Sequence, residues 1–243
     1  SSDGDAPDAL ETRFGSAVSR RFQPRSASLG ASWAVAPGWT LQAAWGRTQR
    51  APAYYELYAD GLHLATGAYE IGDPTLPLER SRHAEAGLAW RAGGASFQAQ
   101  LWRTDFARFL ALQATGQRRT VEGEDGAADE VPEYAFRAVR ARLQGLELEG
   151  RWHDTWGAWA LQFGGTADVV RGDDRDAGQP LPRLAPARVR LSVEARRGAW
   201  GTGLAWQHLA RQTRVPAGEE AVPGSQRLDL WVSWKTRAAG VDW

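Results

Sequence analysis

The sequence predicts an all-β protein in which neighbouring strands run antiparallel in an up-and-down meander. Two observations predict this fold. Apolar and polar residues alternate with a period of two along many segments, which is typical of β-strands with one apolar face. Short and long connections also alternate, so every short turn lies at one end of the strands and every long loop at the other. We count about nine strands of about 10–14 residues, longer than the about 5–6 residues common in soluble sheets.

Alternation assigns the strand side chains to two faces. The pattern is uninterrupted in several segments, such as residues 26–35 and 188–196. The apolar face is predicted to contain Trp33, Trp45, Leu88, Trp90, Leu191, Leu204, Trp206, Leu230 and Trp234. The opposite, polar face is predicted to contain Gln42, Glu85, Arg190, Glu194, Gln207 and Lys235.

Composition excludes several classes of protein. The 243 residues contain 29 Lys+Arg and 29 Asp+Glu, so there is no basic excess of the kind that nucleic-acid binding requires. Cysteine is absent, which removes disulfides, thiolate zinc sites and cysteine nucleophiles. No apolar run reaches the about 18 residues of a transmembrane helix. Phosphate-binding loops, nucleophile elbows and the His-Glu-x-x-His motif are also missing, so we expect no enzyme.

The connections fall into two length classes. Short turns are predicted at residues 37–38, 92–94, 153–156, 197–198 and 238–240. Longer polar loops are predicted at residues 49–81, 113–135, 172–186 and 212–226. An outer-membrane barrel has this asymmetry, with short periplasmic turns, long extracellular loops, an apolar outside and a polar inside. The sequence therefore predicts a partial, open transmembrane β-barrel.

Tryptophan supports the membrane interpretation. The chain has 13 Trp, and four of them, at Trp33, Trp39, Trp90 and Trp200, lie beside predicted short turns. Such a position suits the aromatic girdle at a membrane interface. Two alternatives remain at this point: a passive porin-like channel, whose lumen would be open, and a soluble β-sheet binding module, whose strands would also alternate.

Five short motifs carry a resemblance to a known family. They are Arg50-Ala51-Pro52, Glu56-Leu57, Gly72-Asp73-Pro74-Thr75-Leu76, Glu79-Arg80-Ser81 and Gly145-Leu146-Glu147. In type and order these resemble the barrel of TonB-dependent outer-membrane receptors. Glu56-Leu57-Tyr58, His63-Leu64-Ala65-Thr66 and Tyr69-Glu70-Ile71-Gly72-Asp73-Pro74 resemble the zinc-uptake branch, except that Leu64 interrupts a contiguous His-Ala-Thr.

The resemblance implies a Gram-negative outer-membrane receptor that takes up a metal ion or metal chelate. Zinc is the first expected ligand, and a ferric siderophore or haem the second. Family barrels have about 22 strands and a plugged lumen. Residues 1–243 are therefore expected to be part of the barrel domain, without the plug domain and the final strands. The implied partners are outer-membrane lipid and, through the plug, the TonB complex.

Candidate ligand-binding residues cluster in the first long loop. Zinc binds about four nitrogen, oxygen or sulfur ligands, and His63 lies among carboxylates that could complete such a set. An ordinary solvated loop histidine is the alternative. The metal candidates are His63 and, just below the loop on the polar face, His83. The other candidate ligand-binding residues are Glu56, Tyr58, Asp60, Glu70 and Asp73. No resident cofactor is expected; zinc would be the transported ligand.

Overall fold

The computed structural model describes residues 19–122, 128–217, 219–238 and 241–242, most of which are in β-strands. The elements in chain order are β1 (Ala27–Ala36), β2 (Trp39–Arg50), α1 (Tyr54–Tyr58), β3 (Asp60–His63), β4 (Ala68–Ile71), β5 (Glu79–Ala92), β6 (Ala95–Glu122), β7 (Ala128–Trp156), β8 (Trp159–Asp174), β9 (Gln179–Pro180), β10 (Arg188–Arg197), β11 (Trp200–Leu209), β12 (Ser225–Trp234), β13 (Arg237–Ala238) and β14 (Val241–Asp242). None of the helices among the described residues is long and apolar enough to cross a membrane.

The main sheet confirms the predicted meander. Its strands follow the order β1-β2-β5-β6-β7-β8-β10-β11-β12, and each long strand pairs with the next one along the chain. This path has nine strands, as the sequence predicts. Because β1 and β12 end the path without pairing to each other, the sheet is open. The short strands β3, β4 and β9 attach to this path, and β13 pairs with β14 separately.

Glycines with positive φ make the short turns. Gly38, Gly93, Gly157 and Gly198 have φ of 78°, 53°, 60° and 57°, a region that residues with a Cβ rarely adopt. Each lies in a two-residue connection between antiparallel strands, where turns with positive φ match the twist of the hairpin. The predicted turn at residues 153–156 was wrong in position, because β7 continues to Trp156 and Gly157 makes the turn.

The predicted loop at residues 113–135 was also wrong. Strand β6 continues to Glu122 and β7 begins at Ala128, so most of this polar segment is a long hairpin. Its charged residues pair across the two strands: Arg118 Nε lies 3.3 Å from Glu130 Oε2, and Arg119 Nε lies 2.6 Å from Glu133 Oε2. A hairpin beyond the lipid needs no apolar face, so polarity alone does not mark it as a loop.

The registers of β8 and β10–β12 confirm the two predicted faces there. Residues opposite each other on neighbouring strands share a face. On the apolar face, Leu191 lies opposite Trp206, Leu204 opposite Leu230, and Trp200 opposite Trp234. On the polar face, Arg190 lies opposite Gln207 and Thr166. Most members of the apolar set are exposed, including Trp33 at 68% and Leu230 at 74%, as expected of a surface that lipid covers.

The described residues form two compact units. The loop unit contains Arg47–Arg82, Asp105–Ala141 and the described residues up to Ala27. The sheet unit contains Ser28–Gly46, His83–Thr104 and the described residues from Arg142 onward. The short turns belong to the sheet unit, and there the tryptophans beside them approach each other: the ring centroids of Trp39 and Trp90 are 6.0 Å apart, and those of Trp200 and Trp234 are 6.2 Å apart.

Candidate functional site

Arg50, the last residue of β2, organises the first long connection of the loop unit. Its guanidinium donates to both carboxylate oxygens of Glu56, at 2.8 and 3.0 Å, and to both of Glu79, at 3.1 Å each. The Glu56 and Glu79 side chains are only 6% and 13% exposed. Such bidentate, charge-assisted bonds fix geometry as well as charge. Arg50 therefore ties α1 to the start of β5.

The two carboxylates also satisfy backbone donors. Glu56 Oε2 accepts the Ala53 amide at 2.7 Å, which caps the first turn of α1. Glu79 Oε2 accepts the Leu110 amide of β6 at 3.0 Å. The motif residues Arg50, Glu56 and Glu79 thus form one hydrogen-bonded network that joins β2, α1, β5 and β6.

Gly72 lets the chain pass close to the end of α1. Its amide donates to Ala59 O at 2.6 Å, and the next amide, of Asp73, donates to Glu56 O at 3.0 Å. A Cβ at Gly72 would lie 2.5 Å from the Tyr58 nitrogen, closer than real Cβ contacts allow. Asp73 Oδ1 then accepts the Thr75 amide and hydroxyl, at 2.7 and 2.6 Å, which forms an Asx turn. The Gly-Asp-Pro motif therefore lets the backbone before β5 pass in close contact with the end of α1.

A small apolar core supports this connection. Leu57, Leu76, Leu110 and Phe136 are buried against one another. They come from α1, the segment before β5, and the strands β6 and β7. Leu76, at 1% exposure, is the most enclosed. The connection is thus held by packing as well as by the Arg50 network.

His63 lies at the end of the hairpin formed by β3 and β4. Its Nδ1 is 2.7 Å from Glu70 Oε1. The His63 side chain is 36% exposed, whereas that of Glu70 is 4% exposed. The amides of Thr66 and Gly67 donate to His63 O at 3.0 and 2.9 Å, which closes the hairpin turn. A buried carboxylate therefore orients a half-exposed imidazole beside a tight turn.

The same hairpin joins β7 through its second strand. Strand β4 pairs with β7 in parallel, with Tyr69 opposite Glu133. The Tyr69 hydroxyl donates to Asp60 Oδ1 at 2.9 Å, and the Arg119 guanidinium lies 5.0 Å from the centre of the Tyr69 ring. Burial is the main cause that raises the pKa of Tyr69, and the hydrogen bond to Asp60 adds to it. The hydroxyl is therefore protonated at neutral pH and donates to Asp60.

Glu133 gives the outer part of β7 a predicted pH dependence. The ion-paired hydrogen bond from Arg119, followed by that from Thr115, lowers the pKa of Glu133 below its ordinary value of 4.5. Only about 9–11 residues of a strand cross a membrane, and Glu133 lies on the part of β7 far from the short turn. A lowered folded pKa stabilises the fold above 4.5, and this contribution is lost as pH falls through the folded pKa.

We therefore expect amide exchange at the β4–β7 pairing to accelerate, relative to intrinsic rates, as pH falls below about 4.5. The Glu133→Gln variant should lack this acid step and exchange faster at neutral pH. Glu130→Gln is the matched control, because Glu130 forms an exposed pair with Arg118 in the same hairpin. Equal acid steps in wild type and Glu133→Gln would contradict the assignment.

His83 lies in the sheet unit, on the polar face of β5. Both of its ring nitrogens have partners: Nδ1 is 2.8 Å from Thr104 Oγ1, and Nε2 is 3.1 Å from Glu85 Oε2. Its ring stacks on Trp102 at a centroid distance of 6.3 Å. A metal could bind His83 only by displacing one of these partners.

The Gly-x-Glu motif of β7 accommodates the same tryptophan. Glu147 Oε1 accepts the indole Nε1–H of Trp102 at 3.1 Å. A Cβ at Gly145 would lie 2.7 Å from Trp102 Cζ2, so glycine leaves room for the ring. The motif therefore provides a seat for an aromatic side chain on the polar face.

The predicted ligand-binding residues do not converge on one point. Glu56 is engaged by Arg50, Asp60 by Tyr69, and Asp73 by its own turn. Tyr58 packs against the apolar core, and its hydroxyl is buried without a partner among the described residues. Of the predicted set, the structure brings together His63 with Glu70. In the described part of the chain, no group of three or more His, Asp or Glu side chains is placed to hold a metal.

Arg119 and Glu133 organise the outer hairpin but were not predicted from the sequence. Both lie in the segment that polarity assigned to a loop. Charges of opposite sign on either side of residues 123–127 were the available signal, because they can pair across a hairpin. Arg50 and Glu79 stood out only as motif residues, with no chemical role attached.

The sequence of the chain matches a known protein family. The sequence model of the family described as "TonB dependent receptor-like, beta-barrel" matches residues 2–242. The chain belongs to this family. Barrels of TonB-dependent receptors lie in the Gram-negative outer membrane, which confirms the predicted location. The family is one of receptors, which confirms the expectation that the chain is no enzyme.

Solved structures share the fold at low sequence identity. The copper transporter OprC is 18% identical, with a TM-score of 0.70 over 87% of this chain and 31% of its own. The siderophore receptor PirA from Acinetobacter baumannii is 14% identical, with a TM-score of 0.61 over 87% of this chain and 35% of its own. The iron transporter FrpB from Neisseria meningitidis is 18% identical, with a TM-score of 0.57, covering 88% and 32%. The chain thus spans about a third of these proteins.

Proposed function

We propose that this receptor barrel serves the TonB-dependent uptake of a metal ion or metal chelate, with zinc captured at His63. Membership in the receptor family supports receptor-mediated uptake. The structures with a similar fold include a copper transporter and receptors for siderophores, which supports metal or chelate as the class of ligand. The observation that carries the capture site is the pair formed by His63 and Glu70.

The geometry of this pair suits an imidazole that binds a metal. In protein metal sites, the ligating histidine almost always donates its other ring N–H to a carboxylate, a carbonyl or water. Glu70 engages Nδ1, so Nε2 is the nitrogen that a metal would bind. Because the Glu70 side chain is 4% exposed and that of His63 is 36% exposed, the carboxylate orients the ring from inside while the ring meets solvent.

In this proposal His63 is the direct ligand and Glu70 is a positioning residue. One imidazole is too few ligands for zinc, which binds about four. The remaining ligands would come from water, from a chelator or from parts of the receptor outside this chain. Asp60 is the other predicted carboxylate on the same hairpin, and it would need to leave Tyr69 to take part.

The other predicted residues have structural partners that a ligand would have to displace. Glu56 would have to leave Arg50, Asp73 its Asx turn, and His83 either Thr104 or Glu85. Tyr58 would have to leave the apolar core. Ligand contact by these residues remains a prediction, and the structure supports it less than it supports contact by His63.

Zinc is the first ligand to test because Glu70 contacts Nδ1 and leaves Nε2 of the ring for a metal, and an imidazole nitrogen is a common ligand of Zn²⁺. Copper is the second, because imidazole also binds copper and the copper transporter OprC shares the fold. The resemblance to the zinc-uptake branch favours zinc over a ferric siderophore or haem, which would be bound as a chelate.

Uptake by the full-length receptor distinguishes TonB-dependent transport from passive diffusion. Accumulation of ⁶⁵Zn would be measured in cells that carry the receptor as their only zinc receptor, with and without a functional TonB complex. We expect accumulation to require TonB and to saturate with zinc concentration. Linear, TonB-independent uptake would instead mean a passive channel. Saturable TonB-dependent uptake of a ferric siderophore but not of zinc would overturn the zinc assignment and leave the receptor assignment intact.

A further inference from the structure

A row of side chains runs across the apolar face of the sheet unit beside the short turns. Arg197, the last residue of β10, lies opposite Trp200 of β11, which in turn lies opposite Trp234 of β12. On the other side of β10, the central carbon of the Arg197 guanidinium lies 5.7 Å from the centre of the Trp159 ring of β8. One arginine therefore lies among three tryptophans on four neighbouring strands.

The row lies at the level of the periplasmic headgroups. The short turns of an outer-membrane barrel lie on the periplasmic side, and tryptophan is enriched where the membrane meets water. Arg197 and the three tryptophans are all exposed. An arginine costs little near this interface, whereas it is costly at the centre of the bilayer. The row therefore contacts the periplasmic leaflet, which consists of phospholipids.

The charge of Arg197 is not neutralised within the described part of the chain. Among the described residues, the Trp159 ring is the one partner of its guanidinium. A cation–π contact attracts the positive charge, but it supplies no oxygen acceptor for the five N–H donors. Glu194, the carboxylate nearest in sequence, lies 3.4 Å from the guanidinium of Arg196 on the polar face. The guanidinium of Arg197 is therefore available to an anion.

The indole N–H groups of the row are available as well. Farther along β11, Trp206 donates its indole N–H to Gln226 Oε1 at 3.3 Å. The indoles of Trp159, Trp200 and Trp234 have no such acceptor among the described residues. Tryptophan at an interface usually pairs this N–H with a polar group while its rings contact apolar surface. The row thus presents four hydrogen-bond donors and no acceptor of its own for them.

The surface next to the row, toward the middle of the sheet, is apolar. Ala195 precedes Arg197 by two residues on the same face of β10, opposite Leu161 of β8 and Thr202 of β11. The Thr202 hydroxyl donates to Trp231 O at 3.0 Å, so its hydrogen-bonding need is met within the sheet. Acyl chains can therefore pack on this surface while their headgroup stays beside the guanidinium.

We propose that Arg197, Trp159 and Trp200 form a binding site for the headgroup of an anionic phospholipid in the periplasmic leaflet. Arginine binds phosphate oxygens through two parallel hydrogen bonds, and the indole N–H groups donate to the remaining phosphate and ester oxygens. The phosphate of phosphatidylglycerol has no cation of its own, whereas the ammonium of phosphatidylethanolamine partly neutralises its phosphate. Arg197 therefore favours the anionic lipid, whose acyl chains lie on the surface of Ala195 and Leu161. This site is independent of the metal ligand.

The test uses the purified full-length receptor in detergent. Binding of phosphatidylglycerol and of phosphatidylethanolamine with the same acyl chains would be measured by native mass spectrometry over a range of lipid concentrations. The variants are Arg197→Gln and Arg197→Lys, of which the second keeps the charge but not the two parallel hydrogen bonds. The matched control is Arg196→Gln, which removes the neighbouring arginine from the polar face. Circular dichroism would confirm that each variant is folded.

We expect wild type to bind phosphatidylglycerol about fivefold more tightly than phosphatidylethanolamine, the factor by which one cationic residue at a membrane surface attracts anionic lipid. Arg197→Gln should remove this preference, Arg197→Lys should reduce it to about twofold, and Arg196→Gln should retain it. No preference in wild type, or an unchanged preference in Arg197→Gln, would overturn the site. If Arg197→Gln does not fold, an unchanged preference in Arg197→Lys would overturn it instead.

Glycerol phosphate, which has the anionic headgroup without acyl chains, separates a lipid site from a site for free phosphate. We expect it not to displace phosphatidylglycerol at equal concentration, because it cannot contact the apolar surface beside Arg197. Displacement at equal concentration would overturn the assignment to a membrane lipid.

Discussion

Replacing Arg50 with alanine in the full-length receptor is expected to loosen the whole connection between β2 and β5. The substitution removes four hydrogen bonds to the carboxylates of Glu56 and Glu79 and leaves these carboxylates without their shared cation. Removing one partner of a fully buried ion pair costs about 3–5 kcal/mol. The Arg50 side chain is 42% exposed, so water screens part of the interaction and we expect a local loss of about 2 kcal/mol.

Hydrogen exchange would measure this loss at the Gly72 and Asp73 amides, which donate to Ala59 O and Glu56 O. A local loss of about 2 kcal/mol corresponds to exchange about thirtyfold faster. Arg50→Lys should give an intermediate rate, because an ammonium keeps the charge but cannot bind two carboxylates bidentately.

Arg118→Ala is the matched control for the Arg50 experiment. It removes an arginine from an ion pair whose side chains are 58% and 69% exposed. Exposed pairs contribute about 0–1 kcal/mol, so the exchange of Gly72 and Asp73 should stay as in wild type. If Arg50→Ala and Arg118→Ala behaved alike, the network would not hold the connection.

The sequence predicted the meander because period-two patterning and turn chemistry are local signals. Gly38, Gly93 and Gly198 mark turns wherever the chain must adopt positive φ, and alternation over 188–196 survives intact in β10. Both signals depend on a few neighbouring residues and a lipid-covered face. They fail for residues 113–135, since a strand pair outside the lipid is selected by cross-strand contacts such as Arg119 with Glu133, not by apolar alternation.

The candidate site was only partly predictable for a related reason. Residue types singled out His63 and its acidic neighbours, but the partners of those neighbours depend on which strands meet. Glu56 faces Arg50 because α1 folds back onto the end of β2, and Glu70 faces His63 because β3 pairs with β4. Several carboxylates are close to His63 in the sequence. Of these, the register of the β3–β4 hairpin brings only Glu70 into contact with the His63 ring.

Replacing His63 with alanine in the full-length receptor is expected to lower zinc affinity by at least about tenfold, or about 1.4 kcal/mol. The substitution removes the one imidazole that Glu70 orients toward solvent. Glu70→Gln should lower zinc affinity by about tenfold, because losing the partner behind a ligating histidine typically costs about 10–100-fold. The amide can still accept a hydrogen bond from Nδ1, so the hairpin should remain folded.

Isothermal titration calorimetry with Zn²⁺ and with Cu²⁺ would measure these losses and rank the two metals. His153→Ala is the matched control, because it removes an exposed histidine at the short-turn end of β7. We expect it to bind zinc as wild type does. Hydrogen exchange at the Thr66 and Gly67 amides would show whether the hairpin turn persists in each variant. If His63→Ala kept the wild-type zinc affinity, His63 would not be a zinc ligand. The assignment of the chain to a receptor barrel depends on other residues and would not change.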